Sequence, residues 1–293
     1  MGFSSYLQFL ISGVTVGSIY GLTALGFTII FNTTGIINFA QGEFVMLGGM
    51  LSVFFLASLN IGVPLAILMA VVLTTLIGVA VERFTIRPLR GASVINSVIV
   101  TIGVSILIRG LIMIFLGKDT FGMPNFSGNL PLHIAGAAVM PQSLWIIAIT
   151  VLLFLALRLF FSRTIYGKGM LACSYDKKAS YLVGIDVNRM VLFSFFISAL
   201  VGAVGGAILT PITLTSYDVG IMLGLKGFSA CIIGGLGNPF GAAAGGIILG
   251  ILESFGAGLI SSAYKDAFAF FILLILLFVR PSGLFSQSSI ERV

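Results

Sequence analysis

Charged residues are scarce in this sequence, at 8% of its 293 positions. An ordinary globular domain has about 25% charged residues, and a water-soluble protein of this length could not cover its surface with so few. Hydrophobic residues account for 58% of the chain. The apolar side chains must therefore face lipid as well as a protein core. This excludes a water-soluble protein and predicts an integral membrane protein.

Cysteine and histidine are scarce as well, with only Cys173, Cys231 and His133. Two distant cysteines do not make a disulfide framework, and a single histidine cannot build a zinc site. We expect two small buried or interfacial thiols and a histidine in a polar loop. The net charge of +6 is explained by orientation in a membrane, so nucleic acid is not expected as a partner.

The motifs of common enzymes are missing too. The segment Gly167–Gly169 contains a lysine but lacks the upstream glycine and the following Ser or Thr of a phosphate-binding loop. No HExxH motif occurs, and one histidine gives no convincing Ser/His/Asp arrangement. We expect no catalytic residue, no metal and no cofactor bound by this chain. If the function of this membrane protein, for example transport, uses ATP, another subunit must bind the nucleotide.

Long apolar runs dominate the chain, and about 20 such residues form a membrane-spanning helix. They predict an all-α, polytopic membrane protein with a single transmembrane domain over residues 1–293. The region 222–258 is apolar but interrupted at residues 234–239 (GGLGNP), which predicts a broken or re-entrant segment. This gives eight spans, or nine if the broken region crosses twice. The other predicted spans are 7–31, 36–59, 64–81, 94–116, 144–161, 190–209 and 267–279.

Most of the fifteen lysines and arginines fall in three clusters, at 83–90, 158–189 and 280–292. Cytoplasmic segments are enriched in these residues, so the clusters predict the cytoplasmic side. The loop 117–142 is then external and the amino terminus lies outside. A cytoplasmic tail also requires the region 222–258 to enter the membrane and come back.

Glycines recur at a spacing of four, a pattern that lets helix backbones approach closely. It predicts helix packing within one subunit, with a subunit interface or a moving seam as the alternative. The glycines concerned are Gly13, Gly17, Gly21, Gly241 and Gly245.

Polar residues inside apolar segments are candidate functional residues because burying them is costly. Asn38, Gln41 and Glu43 form one such group and could line a substrate path or cap a helix start. Gly237 and Asn238 suggest an unwound helix that exposes backbone dipoles to a substrate, although a simple inter-helix turn explains them equally well.

Three further ionisable residues lie in apolar runs. Glu253 is expected at the membrane interface. Lys226 and Arg109 are expected to extend toward the membrane edge.

The basic loop 162–189 is too long for a tight turn. Ser174 can cap a short helix over its middle, and Gly184 can end that helix in the left-handed conformation. Such a helix can contact a soluble motor subunit, which makes the segment a candidate cytoplasmic coupling loop. Alternatively, its lysines meet anionic lipid at the membrane surface. The candidate coupling residues are Asp176, Ala179, Ser180, Leu182 and Gly184.

Several segments, in order along nearly the whole chain, resemble the permeases of branched-chain amino acid ABC importers. They are residues 21–31 (GLTALGFTIIF), 35–43 (GIINFAQGE), 46–49 (MLGG), 179–185 (ASYLVGI), 234–241 (GGLGNPFG) and 279–285 (VRPSGLF). The resemblance implies a permease of the bacterial inner membrane that works by alternating access. It further implies a homologous second permease, two cytoplasmic ATPases at the loop around Ala179–Gly184, and a periplasmic substrate-binding protein.

The substrate stays open, because the wider family also serves urea, short amides and aromatic acids. The few charges along the chain favour a zwitterion or a small neutral solute. Other readings are an ATP-independent secondary transporter or channel, a sugar or nucleoside permease of the same importer class, and a membrane scaffold. The irregular polar sites around Glu43 and at 234–241 make a scaffold less attractive.

Overall fold

The computed structural model describes residues 2–89 and 93–285. Arg90 and Arg292, which belong to two of the basic clusters, lie outside these described residues. Within the described ranges the chain forms eleven α-helices and one short antiparallel hairpin. The helices are α1 Phe3–Thr34, α2 Gln41–Leu59, α3 Val63–Val81, α4 Val94–Leu116, α5 Pro141–Arg163, α6 Ile165–Tyr175, α7 Lys177–Leu182, α8 Val187–Thr213, α9 Val219–Gly234, α10 Pro239–Leu259 and α11 Lys265–Val279; the strands are β1 Leu132–Ile134 and β2 Ala137–Val139.

Eight helical segments of the described chain are long and apolar enough to cross a membrane. They are α1, α2, α3 with the π-helical and 3₁₀ turns that extend it to Leu89, α4, α5, α8, α10, and α11 with the 3₁₀ turn at Ser262–Tyr264. The apolar α9, with 16 residues, adds a shorter ninth helix. The predicted all-α, polytopic fold is confirmed.

The second span was predicted to begin near Ile36, and this boundary is wrong. Gly35 has a φ of 71° and ends α1 in the left-handed conformation, with its N–H donating to Phe31 O. Residues 36–40 then fold back along α1, and α2 begins at Gln41. A Cβ on Gly26 would lie 2.0 Å from the Gln41 side-chain nitrogen. Since Gly26 lies more than two turns before the end of α1, α2 starts inside the helix bundle.

The sixth span was predicted to end at Pro211, but α8 continues to Thr213. A proline in the last turn of a helix removes only one backbone donor, so the helix tolerates it there. Leu214, with a φ of 62°, ends the helix instead.

The interruption at residues 234–239 is a turn between two separate helices. Gly235 and Gly237 have φ values of 102° and 95°, which glycine adopts without strain. A Cβ on Gly234 would lie 1.9 Å from Gly241 O, so the ends of α9 and α10 touch through their backbones. The two helices form an antiparallel pair, an arrangement compatible with the prediction that the chain enters the membrane and comes back here.

Helix α1 lies at the centre of the molecule and packs most extensively against α10. A Cβ on Gly13 would lie 2.6 Å from Ile251 Cα, and one on Gly17 would lie 2.8 Å from Gly246 O. On the opposite face of α10, a Cβ on Gly245 would lie 2.2 Å from Ala230 O of α9. The spaced glycines therefore make close backbone contacts inside one chain.

The two ends of the bundle differ in charge. One end gathers the end of α1, the end of α3 and the starts of α4, α7 and α8 around a shared cavity, together with two of the basic clusters. The other end holds the amino terminus and the segment 117–140, where Ala138 N donates to the Gln8 side chain and Phe121 pairs with Thr215. The enrichment of Lys and Arg predicts that the first end faces the cytoplasm.

Candidate functional site

Glu43 lies in the first turn of α2 and is 1% exposed. Ser105 Oγ of α4 donates a hydrogen bond to Glu43 Oε1 at 2.8 Å. The Nε of Arg109, one turn further along α4, lies 3.7 Å from the same oxygen. Arg109 thus points at a buried carboxylate and not toward the membrane edge as predicted. The result is a charged polar group enclosed by apolar helices.

Two glycines let the backbone close around Glu43. A Cβ on Gly220, at the start of α9, would lie 2.6 Å from Glu43 Oε2. A Cβ on Gly42 would lie 2.0 Å from Gly220 O. Because neither residue has a side chain, α9 packs directly on the first turn of α2 and shields the carboxylate on that side.

The polar groups around Glu43 are only partly satisfied. Asn38 Oδ1 accepts the Ala40 N–H at 3.2 Å. Among the described residues, however, Asn38 Nδ2 and Glu43 Oε2 are buried without a hydrogen-bond partner. Burying such groups unpaired is costly, so the site offers a donor and an acceptor to a polar ligand.

Gln41 has a different environment from its two neighbours. Its side-chain nitrogen donates to Ser198 O at 3.3 Å, and its Oε1 accepts from Ser198 Oγ. Ser198 Oγ also lies 2.9 Å from Gly26 O. Gln41 therefore joins α1, α2 and α8, and its amide is used in these contacts.

A polar stripe on α4 was missed at the sequence level. Ser97, Thr101, Ser105 and Arg109 follow one another at a spacing of four, which aligns them on one helix face. Thr101 Oγ1 accepts the Phe39 N–H at 3.3 Å, and Ser97 lines a cavity of about 360 Å³ at the basic end. The stripe runs from this cavity to Glu43. Its regular spacing in an apolar helix was the signal that could have revealed it.

Gly237 and Asn238 lie away from this stripe, near the end of α1. Asn32 Nδ2 donates to Gly237 O at 2.9 Å. Asn238 Oδ1 accepts the N–H groups of Phe240 and Gly241 and so caps α10. Asn238 Nδ2 also donates to Phe285 O at 2.8 Å. Both residues make turn-forming contacts, and the predicted unwound helix is absent from this turn.

A second charged cluster joins α1, α9, α10 and α11. Lys226 is 5% exposed, and its Nζ lies 3.0 Å from Glu253 Oε1 and 2.5 Å from Asp266 Oδ1. Tyr20 OH and Lys265 Nζ also contact Glu253 Oε1, at 3.1 and 3.2 Å. Lys226 therefore pairs with carboxylates inside the bundle instead of extending to the membrane edge as predicted. Glu253 is buried at 1% exposure beside the half-exposed Lys265 and Asp266, and its predicted place at the membrane interface stays a prediction.

The predicted coupling segment contains the short helix α7, but Ser174 does not cap it. Ser174 lies in α6, and its hydroxyl donates to Leu171 O. Asp176 is the cap, since its Oδ1 accepts the N–H groups of Lys178 and Ala179 at 2.8 and 3.1 Å. Asp176 is the residue directly before the helix, where its carboxylate reaches the free N–H groups.

Gly184 ends α7 as predicted, with a φ of 87°. Its N–H donates to Tyr181 O, and the Ile185 N–H donates to Ser180 O, both at 3.0 Å. This pair of bonds is a Schellman motif. Ala179 is exposed and Ser180 is buried at 4% exposure. The turn projects Leu182 and Val183 outward at 83% and 77% exposure, so α7 presents an apolar tip at the basic end of the molecule.

His133 is exposed in β1, a strand of the short hairpin within the polar segment 117–142. Cys173 and Cys231 are both free and buried. Burial raises the pKa of the Cys173 thiol, which keeps it protonated at neutral pH. Within the described residues no group of three or more His, Cys, Asp or Glu side chains could hold a metal ion.

Comparison with known proteins gives consistent matches over the whole chain. A family model described as the permease component of the branched-chain amino acid transport system matches residues 9–277. The chain is 34% identical over 301 residues to the high-affinity branched-chain amino acid transport system permease protein BraD of Pseudomonas aeruginosa, covering 98% of each chain. It is 33% identical over 307 residues to the corresponding protein LivH of Escherichia coli K12, covering 99% of each.

A solved structure shares the fold. It is PsaBC from Streptococcus pneumoniae in complex with Fab, with a TM-score of 0.53 and 16% identity, covering 96% of this chain and 93% of the other. At 16% identity the match indicates only a similar arrangement of helices.

Proposed function

Because the chain belongs to the family of permease components of branched-chain amino acid transport systems, we propose that it carries branched-chain or other small amino acids across the membrane. It is a permease subunit of an ATP-driven importer and a multi-pass protein of the bacterial inner membrane. BraD and LivH are named for branched-chain amino acid transport, and this supports the choice of substrate.

The substrate path follows the polar stripe of α4 and passes Glu43. The observation that carries this proposal is the buried carboxylate of Glu43, held by Ser105 and Arg109 among apolar helices. Glu43 Oε2 suits the ammonium of a zwitterion, and Asn38 Nδ2 suits its carboxylate. Of the other predicted path residues, Gln41 positions α2 against α8, while Gly237 and Asn238 shape the turn that closes the cytoplasmic end of α9 and α10.

Removing the Glu43 charge tests the path. In vesicles containing the assembled importer, Glu43→Gln should lower uptake of radiolabelled leucine by at least about tenfold, since a charge-assisted contact to the ammonium is lost. Asp119→Asn, which removes an exposed carboxylate from the external segment, is the matched control and should leave uptake unchanged. Equal uptake by both variants would remove Glu43 from the path.

Coupling to ATP is assigned to α7. A homologous permease pairs with this chain, two cytoplasmic ATPases hydrolyse ATP, and a periplasmic binding protein delivers the substrate. This chain itself binds no cofactor and catalyses no reaction. The exposed apolar tip at Leu182 and Val183 supports docking of an ATPase, because such side chains at the basic end are otherwise left in water. Asp176, Ser180 and Gly184 hold the shape of this tip, and Ala179 lies on its surface.

Bulky charged residues in place of Ala179 and Gly184 test the coupling surface. They should abolish ATP-dependent uptake while the chain still inserts and pairs with its partner permease. Uptake in vesicles without any ATPase would favour an ATP-independent transporter instead. Assays with each candidate binding protein decide between amino acids and urea, short amides or aromatic acids, and preferred transport of a multiply charged solute would contradict a zwitterionic substrate.

A further inference from the structure

Lys177, the first residue of α7, makes a polar contact with the other side of the cytoplasmic end. Its Nζ donates to Thr34 O at 2.5 Å, joining two residues that are 143 positions apart. A Cβ on Gly35 would also lie 3.8 Å from the same Nζ. The contact therefore connects the coupling helix directly to the point where α1 ends.

The Thr34 carbonyl is a chemically suitable partner for an ammonium. The last carbonyls of a helix lack intrahelical donors and carry the negative end of the helix dipole. The pKa of Lys177 is lowered because the surrounding protein removes part of the water around its ammonium, although the residue as a whole is exposed. A charged donor thus meets the carbonyl in a partly desolvated place, where the hydrogen bond is strengthened.

Lys177 reaches Thr34 along the wall of a hollow. The cavity of about 360 Å³ is lined by both residues together with Gly35, Ser97 and Val191. A hollow transmits little displacement through packing, because its walls do not touch. The hydrogen bond from Lys177 is therefore a direct link between α7 and the end of α1 at the wall of this cavity.

The segment after Thr34 continues this link toward the polar site. Residues 35–40 fold back into the bundle, Phe39 bonds to Thr101 of the polar stripe, and Asn38 and Glu43 lie on either side of Phe39 along the chain. A displacement of the end of α1 is passed through this short segment to the site around Glu43.

We propose that Lys177 is a positioning residue that transmits movement of the coupling helix to the end of α1 and so to the polar site at Glu43. The proposal rests on the proposed function, in which an ATPase docks on α7. Lys177 touches neither substrate nor nucleotide; it makes ATP hydrolysis productive for transport.

The test compares Lys177→Met with Lys178→Met in the complete importer, reconstituted in vesicles with its partner permease, ATPases and binding protein. Both variants remove one exposed lysine charge from the same helix, and Lys177 is the one whose ammonium donates to Thr34 at the end of α1. Lys177→Met should hydrolyse ATP at the normal rate while transporting about tenfold less leucine per ATP, the effect of losing one charge-assisted hydrogen bond. Lys178→Met should match the unaltered importer, and Lys177→Arg should recover most of the coupling.

Equal transport per ATP in both methionine variants would overturn the proposal. The proposal would also be overturned if Lys177→Met and Lys177→Gln both failed to bind the ATPases. Lys177 would then only hold α7 in its place, without transmitting movement. Failure of the proposed function looks different: in an importer that keeps Lys177, Cys residues introduced into α7 would not cross-link to the ATPases.

Discussion

Lys226 and Glu253 are buried charges that the sequence locates but whose environment it does not show. Each lies in an apolar helix, and a long side chain in such a helix is commonly expected to reach the membrane edge. Their pairing depends on α9 and α10 turning back on each other and on α11 bringing in Asp266. A contact that needs three helices in place cannot be deduced from the spacing within one of them.

Replacing Lys226 by Met should destabilise the protein by about 3 kcal/mol, because Glu253 stays buried after losing its closest cation. Lys265→Met removes the other lysine on the same oxygen but from a side chain that is 45% exposed, so its cost should stay below about 1 kcal/mol. Denaturant titration of both variants in detergent measures the difference. Equal losses would mean that the buried lysine contributes no more than the exposed one.

The polar group of Asn38, Gln41 and Glu43 could be recognised from the sequence because these residues lie between apolar runs, and its role as a substrate path stays a prediction. The individual contacts of these residues could not be predicted. The Gln41 side chain bonds to Ser198, while the Glu43 carboxylate accepts a hydrogen bond from Ser105 of α4. Ser105 and Arg109 are separated from Glu43 by more than sixty positions. Only the fold brings them together, although the spacing of four along α4 was visible in the sequence.

At the scale of the element, local rules worked where a helix end depends on one residue. Gly184 was predicted to end α7 because glycine alone adopts a positive φ freely, and it does. The rules failed where two candidates competed or where tertiary packing decided. Asp176 took the capping position expected of Ser174, and α2 begins at Gln41 because residues 36–40 are held against α4 by Thr101.

The capping of α7 leads to a direct prediction. Asp176→Ala should destabilise the helix by about 1 kcal/mol, because two N–H groups lose their acceptor. Amide hydrogen exchange of residues 177–182 should accelerate by about fivefold, which is what that energy corresponds to. Ser174→Ala is the control and should leave this exchange unchanged, and equal acceleration in both variants would contradict the assignment of the cap.

The glycine contact between α1 and α10 gives a second prediction at this scale. A Cβ on Gly246 would lie 2.2 Å from Gly21 N, so Gly246→Ala must push two backbones apart and should cost about 1–3 kcal/mol. Gly110→Ala on α4 meets no atom within 4 Å and should be neutral or stabilising by up to about 1 kcal/mol. The unfolding midpoints of the two purified variants measure this difference. An unchanged midpoint for Gly246→Ala would show that α1 and α10 can move apart without loss of stability.

At the scale of the whole molecule, orientation follows from the charge difference between the two ends. The basic end carries α7, and the opposite end carries the segment 117–140 and the amino terminus. The distribution of Lys and Arg in the sequence already distinguishes these two ends. This is possible because the orientation in which a chain inserts into the membrane depends on the charge of its loops and not on how its helices pack.

Cysteine labelling checks this orientation without removing the native thiols, since Cys173 and Cys231 are buried. A membrane-impermeant maleimide should label Asn129→Cys in intact cells, because residue 129 is exposed at the outer end. Lys178→Cys should react only after the inner membrane is permeabilised. Labelling of Lys178→Cys in sealed cells would place α7 outside and reverse the topology.

The close contact of α1 with α10 also has a consequence for how the protein is made. Helix α1 leaves the ribosome long before its most extensive partner α10, which begins only at residue 239. At bacterial elongation rates this delay is on the order of ten seconds, far longer than a helix takes to form. During that interval the glycine face of α1 must be covered by lipid or by the insertion machinery, and a chain interrupted before α10 would keep that face open permanently.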